Sequence, residues 1–222
     1  MPDFLDINQS IIDLIGSKII IMKKVYMIHG WDETSGENWF PWLRKELESR
    51  GFEVIALQMP DADLPHIEKW VPALKNIVKD PDESTYFVGH SMGCQAIIRY
   101  LETLPRETRI GGAVFVAGFL RHITNLEQEP DVLDVDREWA ETPIDFAKAR
   151  SHLSKSVAIF STNDPCVSFD NREDFQQKLG SEIITLQNKD HLDADDNAFK
   201  LPEVLEAVLK MTGTGEGRRG FC

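Results

Sequence analysis

The stretch Gly89-His90-Ser91-Met92-Gly93 fits G-x-S-x-G, the pattern of a nucleophilic serine carried on a sharp turn from strand to helix. Its neighbours supply both elements. Thr85-Tyr86-Phe87-Val88 is short, apolar and β-rich, as a strand buried in a parallel sheet should be. Cys94 to Glu102 then places Ile97, Ile98 and Leu101 on one helical face. A turn this tight strains the serine backbone and leaves its Oγ exposed at the sheet edge, while small flanking residues let the chain cross closely. Five-residue matches also arise by chance in loops, and the strand and helix on either side are what make this one specific. His90, adjacent to the serine, sends its side chain elsewhere and is not expected to be the base.

Working outward from this turn, strand and helix patterns alternate from Lys23 onward, which is the mark of a parallel sheet with crossover helices. Strands are expected near Val25 to His29, Glu53 to Leu57, Thr85 to Gly89, Gly111 to Ala117, Ser156 to Ser161 and Glu182 to Leu186. Helices are expected over Asn38 to Arg50, Leu64 to Val78 with an irregularity at Pro72, Met92 to Thr103, Asp170 to Leu179 and Leu201 to Met211. Right-handed crossovers with one reversal give an α/β fold: six mainly parallel strands in order 2-1-3-4-5-6, helices on both faces, and a site at the carboxyl ends of the strands. The 222 residues suit one such domain, over 22–211.

Three segments stand apart. Residues 118–155 are longer than an ordinary crossover and mix acidic clusters with Leu133, Trp139, Ile144 and Phe146, so a small helical cap over the serine is expected there. Residues 212–222 read as a flexible glycine-rich tail. In residues 1–21, Ile7, Ile11, Ile12, Leu14 and Ile15 recur at helical spacing before Gly16 interrupts. This extension is either an extra amphipathic helix or a stretch ahead of a true start at Met22.

A formal net charge of -13 leaves no basic patch to displace counterions, which argues against nucleic acid or an anionic membrane as partner. Three cysteines, Cys94, Cys166 and Cys222, lack C-x-x-C spacing and offer neither a disulfide framework nor a zinc motif, which suits the reducing cytoplasm. The acidic N-terminus does not resemble a secretory signal, and no apolar run reaches membrane-spanning length.

A serine hydroxyl is a weak nucleophile near neutral pH and needs a histidine to take its proton and an acid to orient that histidine. In folds with this turn the partners follow in the order serine, acid, histidine. Asp164 stands just past the fifth strand in Asn163-Asp164-Pro165, where a plain Asx-type turn is the competing reading. His191 is the sole histidine after it, since His29, His66, His90, His122 and His152 all come earlier. The carboxylates Asp190, Asp193, Asp195 and Asp196 invite a metal, yet they lack the glycine and terminal glutamate of a calcium loop and read as a solvated turn. Neither metal nor cofactor is expected. For the oxyanion, the N–H groups of Met92 and Trp31 are the candidates, one at the helix start and one after His29-Gly30. Trp31, Trp39, Trp42 and Trp70 are candidates for an acyl pocket, with Trp42 and Trp70 better suited to the core. Cys94 and Cys166 read as small buried fillers.

Val25 to Gly30, Asn38 to Leu43, Gly89 to Cys94, Ser161 to Pro165 and the late His191 together resemble the small α/β-hydrolases related to retinoblastoma-binding protein 9, especially the bacterial YdeN-like branch. The resemblance spans about residues 23–210. It implies a reduced single-domain α/β-hydrolase fold without the first strands of larger relatives, Ser91, Asp164 and His191 as triad, and esterase-like or peptidase-like activity. That family usually carries glycine before the histidine, where Asp190 stands here; a carboxylate beside the base would perturb its titration or reshape the loop. The expected function is hydrolysis of a small carboxylic ester through an acyl-enzyme on Ser91. The alternatives are an aminopeptidase or amidase on the same residues, and a binding module that keeps the fold. Oligomeric state is not legible.

Overall fold

The computed structural model describes residues 22–193 and 199–214, so the 1–21 extension and residues 215–222 lie outside the described residues. Six strands, β1 Lys24–Ile28, β2 Glu53–Leu57, β3 Thr85–His90, β4 Gly112–Val116, β5 Ser156–Ser161 and β6 Glu182–Leu186, form one sheet in the order β2-β1-β3-β4-β5-β6. All five pairings are parallel. This is the α/β architecture expected from the alternating pattern.

Alternation along the strands divides the core in two. Tyr26, Ile28, Phe87, Phe115, Ala158 and Phe160 belong to one face, under helices α2 Ile67–Ile77 and α3 Met92–Glu102. Val25, Met27, Val88, Val114, Val116 and Ile159 belong to the other, under α1 Phe40–Glu48 and the last helix, Pro202–Thr212. The central strands are buried on both faces, which is why β3, β4 and β5 read as nearly unbroken apolar runs. Burial runs from Met92 through Leu101, because α3 is covered by the sheet on one side and by neighbouring helices on the other.

Residues 118–155 contain two helices, α4 Pro130–Glu141 and α5 Phe146–His152. The helix expected over Asp170 to Leu179 is one turn, α6 Asn171–Asp174, that runs on as a π-helical turn over Phe175–Leu179. The final helix, α7 Pro202–Thr212, includes Thr212, which the sequence reading assigned to the tail; Gly213 at φ 69° closes the helix one residue later than expected.

A buried arginine fastens α4 to the central helix. Arg99 on α3 donates to the carbonyls of Trp139 at 2.9 Å and Thr142 at 2.8 Å, at the C-terminal end of α4, and to Gln95 Oε1 at 3.1 Å. The cation thus meets the negative end of the helix dipole and satisfies carbonyls that have no intrahelical partner. At the same helix, Trp139 Nε1 donates to Pro65 O at 2.8 Å, and its ring meets Trp70 edge-on. Replacing Arg99 with alanine leaves these carbonyls unpaired in the interior. The expected cost is roughly 3 kcal/mol, seen by thermal denaturation as a melting temperature lower by about 6–12 °C. An unchanged melting curve would mean that water replaces the guanidinium at no cost.

Candidate active site

Ser91 lies at the junction of β3 and α3 with φ 48° and ψ -115°, a conformation that a residue with a Cβ adopts only when its surroundings enforce it. Its N–H donates to Val116 O on the neighbouring strand at 2.8 Å. The crossing of α3 over β1 depends on Gly93, where a Cβ would stand 2.3 Å from the Ile28 carbonyl oxygen. The two glycines of the motif therefore have a steric reason, since a Cβ at Gly89 would likewise meet Cys94 N at 2.8 Å.

Past the end of β5, Asp164 does two jobs at once. Its Oδ1 accepts the N–H groups of Cys166 at 2.9 Å and Val167 at 2.8 Å, which is the local turn expected of Asn-Asp-Pro. The same carboxylate meets His191 Nδ1, with Oδ2 at 2.9 Å and Oδ1 at 3.0 Å. The acid is 3 % exposed and the imidazole 12 %, so the pair is shielded while one ring edge reaches the cavity. Ser91 and His191 line the same pocket, of about 600 Å³, together with Trp31, Asp32, Glu33, Glu37, Asn38, Ile123, Leu126, Cys166 and Asp193. Among the described residues Ser91 Oγ makes no hydrogen bond to His191. Contacts of this kind are often loose without substrate and tighten when it binds.

The loop after β1 holds a peptide against the serine. A Cβ at Gly30 would lie 3.1 Å from Ser91 Cβ and 3.0 Å from Glu33 Oε2, so a side chain here would press on both. Met59 N–H donates to His29 Nε2 at 2.9 Å, which makes Nε2 the bare nitrogen and leaves Nδ1–H to donate to Gly30 O at 2.8 Å. Burial depresses the pKa of His29 and keeps the ring neutral. With the Gly30 carbonyl held, the Trp31 N–H of the same planar peptide points the opposite way. The Gly30 N–H is already committed to Glu33 Oε2 at 2.6 Å. Trp31 N–H, by contrast, has no acceptor among the described residues. Met92 opens α3, where the first N–H groups of a helix have no intrahelical partner.

Beneath the serine lies an ion pair that the sequence reading missed. His90 is fully buried; its Nδ1 sits 2.8 Å from Glu33 Oε1, off the line of a good hydrogen bond, so the attraction is mainly between opposite charges. His90 Nε2 donates to the backbone carbonyl of His191 at 3.0 Å. Glu33, His90 and the His191 carbonyl thus link the loop after β1, the serine turn and the histidine loop. Burial alone would lower the His90 pKa, but the Glu33 carboxylate more than reverses this, helped by the His191 carbonyl and Asp193, and holds it at about 9. Burial likewise raises the Glu33 pKa, and the His90 imidazolium, the Gly30 N–H and His191 overcome it and bring it to about 2.

These shifts fix a sign. The elevated His90 pKa stabilises the fold below its ordinary value of 6.5, and that stabilisation is lost as pH rises through about 9. The depressed Glu33 pKa contributes above its ordinary 4.5, and that contribution is lost as pH falls through about 2. Both operate from 4.5 to 6.5. The melting temperature of the native chain is therefore expected to fall between pH 6.5 and 9.5 more steeply than that of Glu33→Gln, in which His90 has no carboxylate to hold its proton. Parallel slopes in the two proteins would remove the charge from the pair.

Trp31 lines the pocket, whereas Trp39 is fully buried and donates from Nε1 to Leu192 O at 3.0 Å, bracing the histidine loop from behind. Trp70 is buried and bonded to Pro60 O, as a core residue. Cys94 is a buried filler whose thiol pKa burial pushes up, but Cys166 is not: it is half-buried and forms part of the pocket wall, since its backbone N–H is held by Asp164 in the turn at the pocket's edge. Asp190 has φ 45°, and its carboxylate accepts from Asn163 Nδ2 at 2.5 Å. That left-handed backbone explains why glycine suits the position. Asp195 and Asp196 lie outside the described residues.

Residues 25–210 match the family model described as serine hydrolase. The chain is 32% identical over 186 residues to the hydrolase YdeN of Bacillus subtilis (strain 168), covering 84% of this chain and 94% of that protein. It is 24% identical over 182 residues to the serine hydrolase RBBP9 of Rattus norvegicus, covering 82% and 91%. The crystal structure of the ydeN gene product from B. subtilis superimposes with a TM-score of 0.79 at 30% identity, over 86% of this chain and 100% of that one. Carboxylesterase CesB (YbfK) from Bacillus subtilis shares the fold, with a TM-score of 0.59 at 14% identity over 89% and 86%. The strained serine turn, the parallel sheet and these similarities converge: the chain belongs to the serine hydrolase family.

Proposed function

We propose that this hydrolase cleaves small carboxylic esters through an acyl-enzyme on Ser91. The observation that carries the reading is one pocket shared by a serine on a strained strand-to-helix turn and a histidine whose far nitrogen is held at 2.9 Å by a carboxylate shielded from solvent. Ser91 Oγ attacks the ester carbonyl while His191 Nε2 takes its proton. Asp164 holds Nδ1–H, fixes the tautomer and stabilises the imidazolium. The N–H groups of Met92 and Trp31 receive the oxyanion of the tetrahedral intermediate. Collapse expels the alcohol, which leaves with the proton from His191. Water then attacks the acyl-serine by the same route in reverse and releases the acid.

Residues 118–155 act as the cap in this reading. Ile123 and Leu126 line the pocket beside Ser91, and Thr124 and Asn125 fasten the segment to the Pro165 carbonyl, each at 2.7 Å. Trp31, Ile123 and Leu126 supply an apolar wall for a short acyl or alkyl group, and no cofactor takes part. A small-molecule substrate and a cytoplasmic setting fit the charge and the cysteine usage; among the described residues no helix is long and apolar enough to cross a membrane. A second reading, cleavage of an amide next to a free amine, draws on the carboxylates of Asp32 and Glu37 at the pocket rim. A panel of p-nitrophenyl acyl esters against aminoacyl p-nitroanilides separates the two. The expected result is ester turnover that declines as the acyl chain outgrows the pocket, together with labelling of Ser91 by a fluorophosphonate. Faster anilide turnover would favour the second reading, and no labelling would overturn both.

A further inference from the structure

We propose that Asp164, Cys166 and His191 form an inhibitory zinc site within the pocket. Each offers one donor atom, and these atoms lie within 4.8 Å of one another, with all three residues half-buried. A thiolate, an imidazole and a carboxylate are the ligands zinc favours, at about 2.3 Å for sulfur and about 2.0–2.2 Å for nitrogen and oxygen. Donors in a tetrahedral shell of that size stand about 3.4–3.7 Å apart, so the widest pair needs to close by about 1.4 Å at most. The backbone predisposes them to it. Cys166 N–H is already bonded to Asp164 Oδ1 at 2.9 Å, and Asp164 already touches His191, so the backbone brings the three side chains to one place.

Because Cys166 and His191 both line the cavity, solvent can supply the fourth ligand. The soft thiolate and the imidazole select zinc over magnesium or calcium, which prefer an all-oxygen shell. Charge also balances. Zinc binding displaces one proton from the thiol, and the thiolate and the carboxylate together offset the two positive charges.

Inhibition follows from the imidazole and rests on the reading of His191 as general base. A metal on Nε2 occupies the atom that must accept the serine proton. A metal on Nδ1 takes the place of the proton shared with Asp164, and the neutral ring must then carry its one proton on Nε2. On either nitrogen, His191 has no lone pair left for Ser91. The site is invisible to a search for zinc motifs, because the thiol and the histidine are 25 positions apart and only the adjacent ends of β5 and β6 bring them together.

The test uses the full chain. Zinc affinity is measured by competition with a chromophoric chelator, and cobalt is added separately to report thiolate ligation. One equivalent of zinc is expected to bind, Cys166→Ser to weaken it at least tenfold, and cobalt to give a sulfur-to-metal charge-transfer band that Cys166→Ser lacks. Ester hydrolysis, compared within each protein before and after zinc, is expected to be lost in the native chain, restored by EDTA, and largely insensitive in Cys166→Ser. Equal zinc affinity in the two proteins, or a cobalt spectrum without the sulfur band, would overturn the site. Because the binding arms do not depend on turnover, they decide it even if the chain hydrolyses none of the esters tried. Zinc bound through the thiol with hydrolysis unchanged would overturn inhibition, and the metal would then be held without the imidazole.

Discussion

Ser91→Ala is expected to lower kcat for p-nitrophenyl acetate by roughly 10⁶-fold while the chain melts as before. The oxygen removed is the proposed nucleophile, and no neighbouring hydroxyl stands on the strained turn to replace it. Folding should be spared, since the Ser91 backbone bond to Val116 O is kept. The residual rate should match the background from the oxyanion donors and binding alone. Circular dichroism and thermal denaturation establish that the fold persists, and fluorophosphonate labelling should disappear with activity. Near-native turnover by this variant would falsify the assignment of the nucleophile.

The second large effect is at the acid. Asp164→Asn is expected to lower kcat by roughly 10⁴-fold, through the wrong tautomer and not through lost geometry. In the native chain Oδ1 is occupied by the Cys166 and Val167 N–H groups as well as by His191, whereas Oδ2 faces Nδ1 alone. An asparagine keeps the turn with its carbonyl oxygen at the Oδ1 position, which turns its NH₂ toward His191. Nδ1 must then accept, the ring proton moves to Nε2, and the base is unable to take the serine proton. Melting temperature should change little because the turn bonds survive. If kcat stays within tenfold of native, the orienting acid is another carboxylate.

Much of the fold was legible because its signals are local. β3, β4 and β5 are buried on both faces and so appear as apolar runs, and the serine turn announces itself through two glycines, Gly89 crowded by its own helix at Cys94 and Gly93 by the Ile28 carbonyl of β1. Chain order then singled out Asp164 and His191, which the structure sets 2.9 Å apart. What escaped are contacts between segments distant in sequence. Glu33 and His90 are 57 positions apart and carry no motif, yet burial turns their charges into a pair linking the three loops around Ser91. A glutamate three residues after a strand-ending glycine is too common to flag in advance.

The α/β class, the strand order, the serine turn and the candidate acid and histidine all follow from the order of the amino acids. Each of these depends on periodicity, on steric limits at glycine, or on the order of residues along the chain. The tertiary structure alone decided that Trp39 braces the histidine loop while Trp31 lines the pocket, that Cys166 faces the cavity beside His191 while Cys94 is sealed inside, and that Arg99 holds the end of α4. Residue type sets what a side chain can do, but which neighbour it meets depends on how the loops close over the sheet, and that closure is a property of the whole chain.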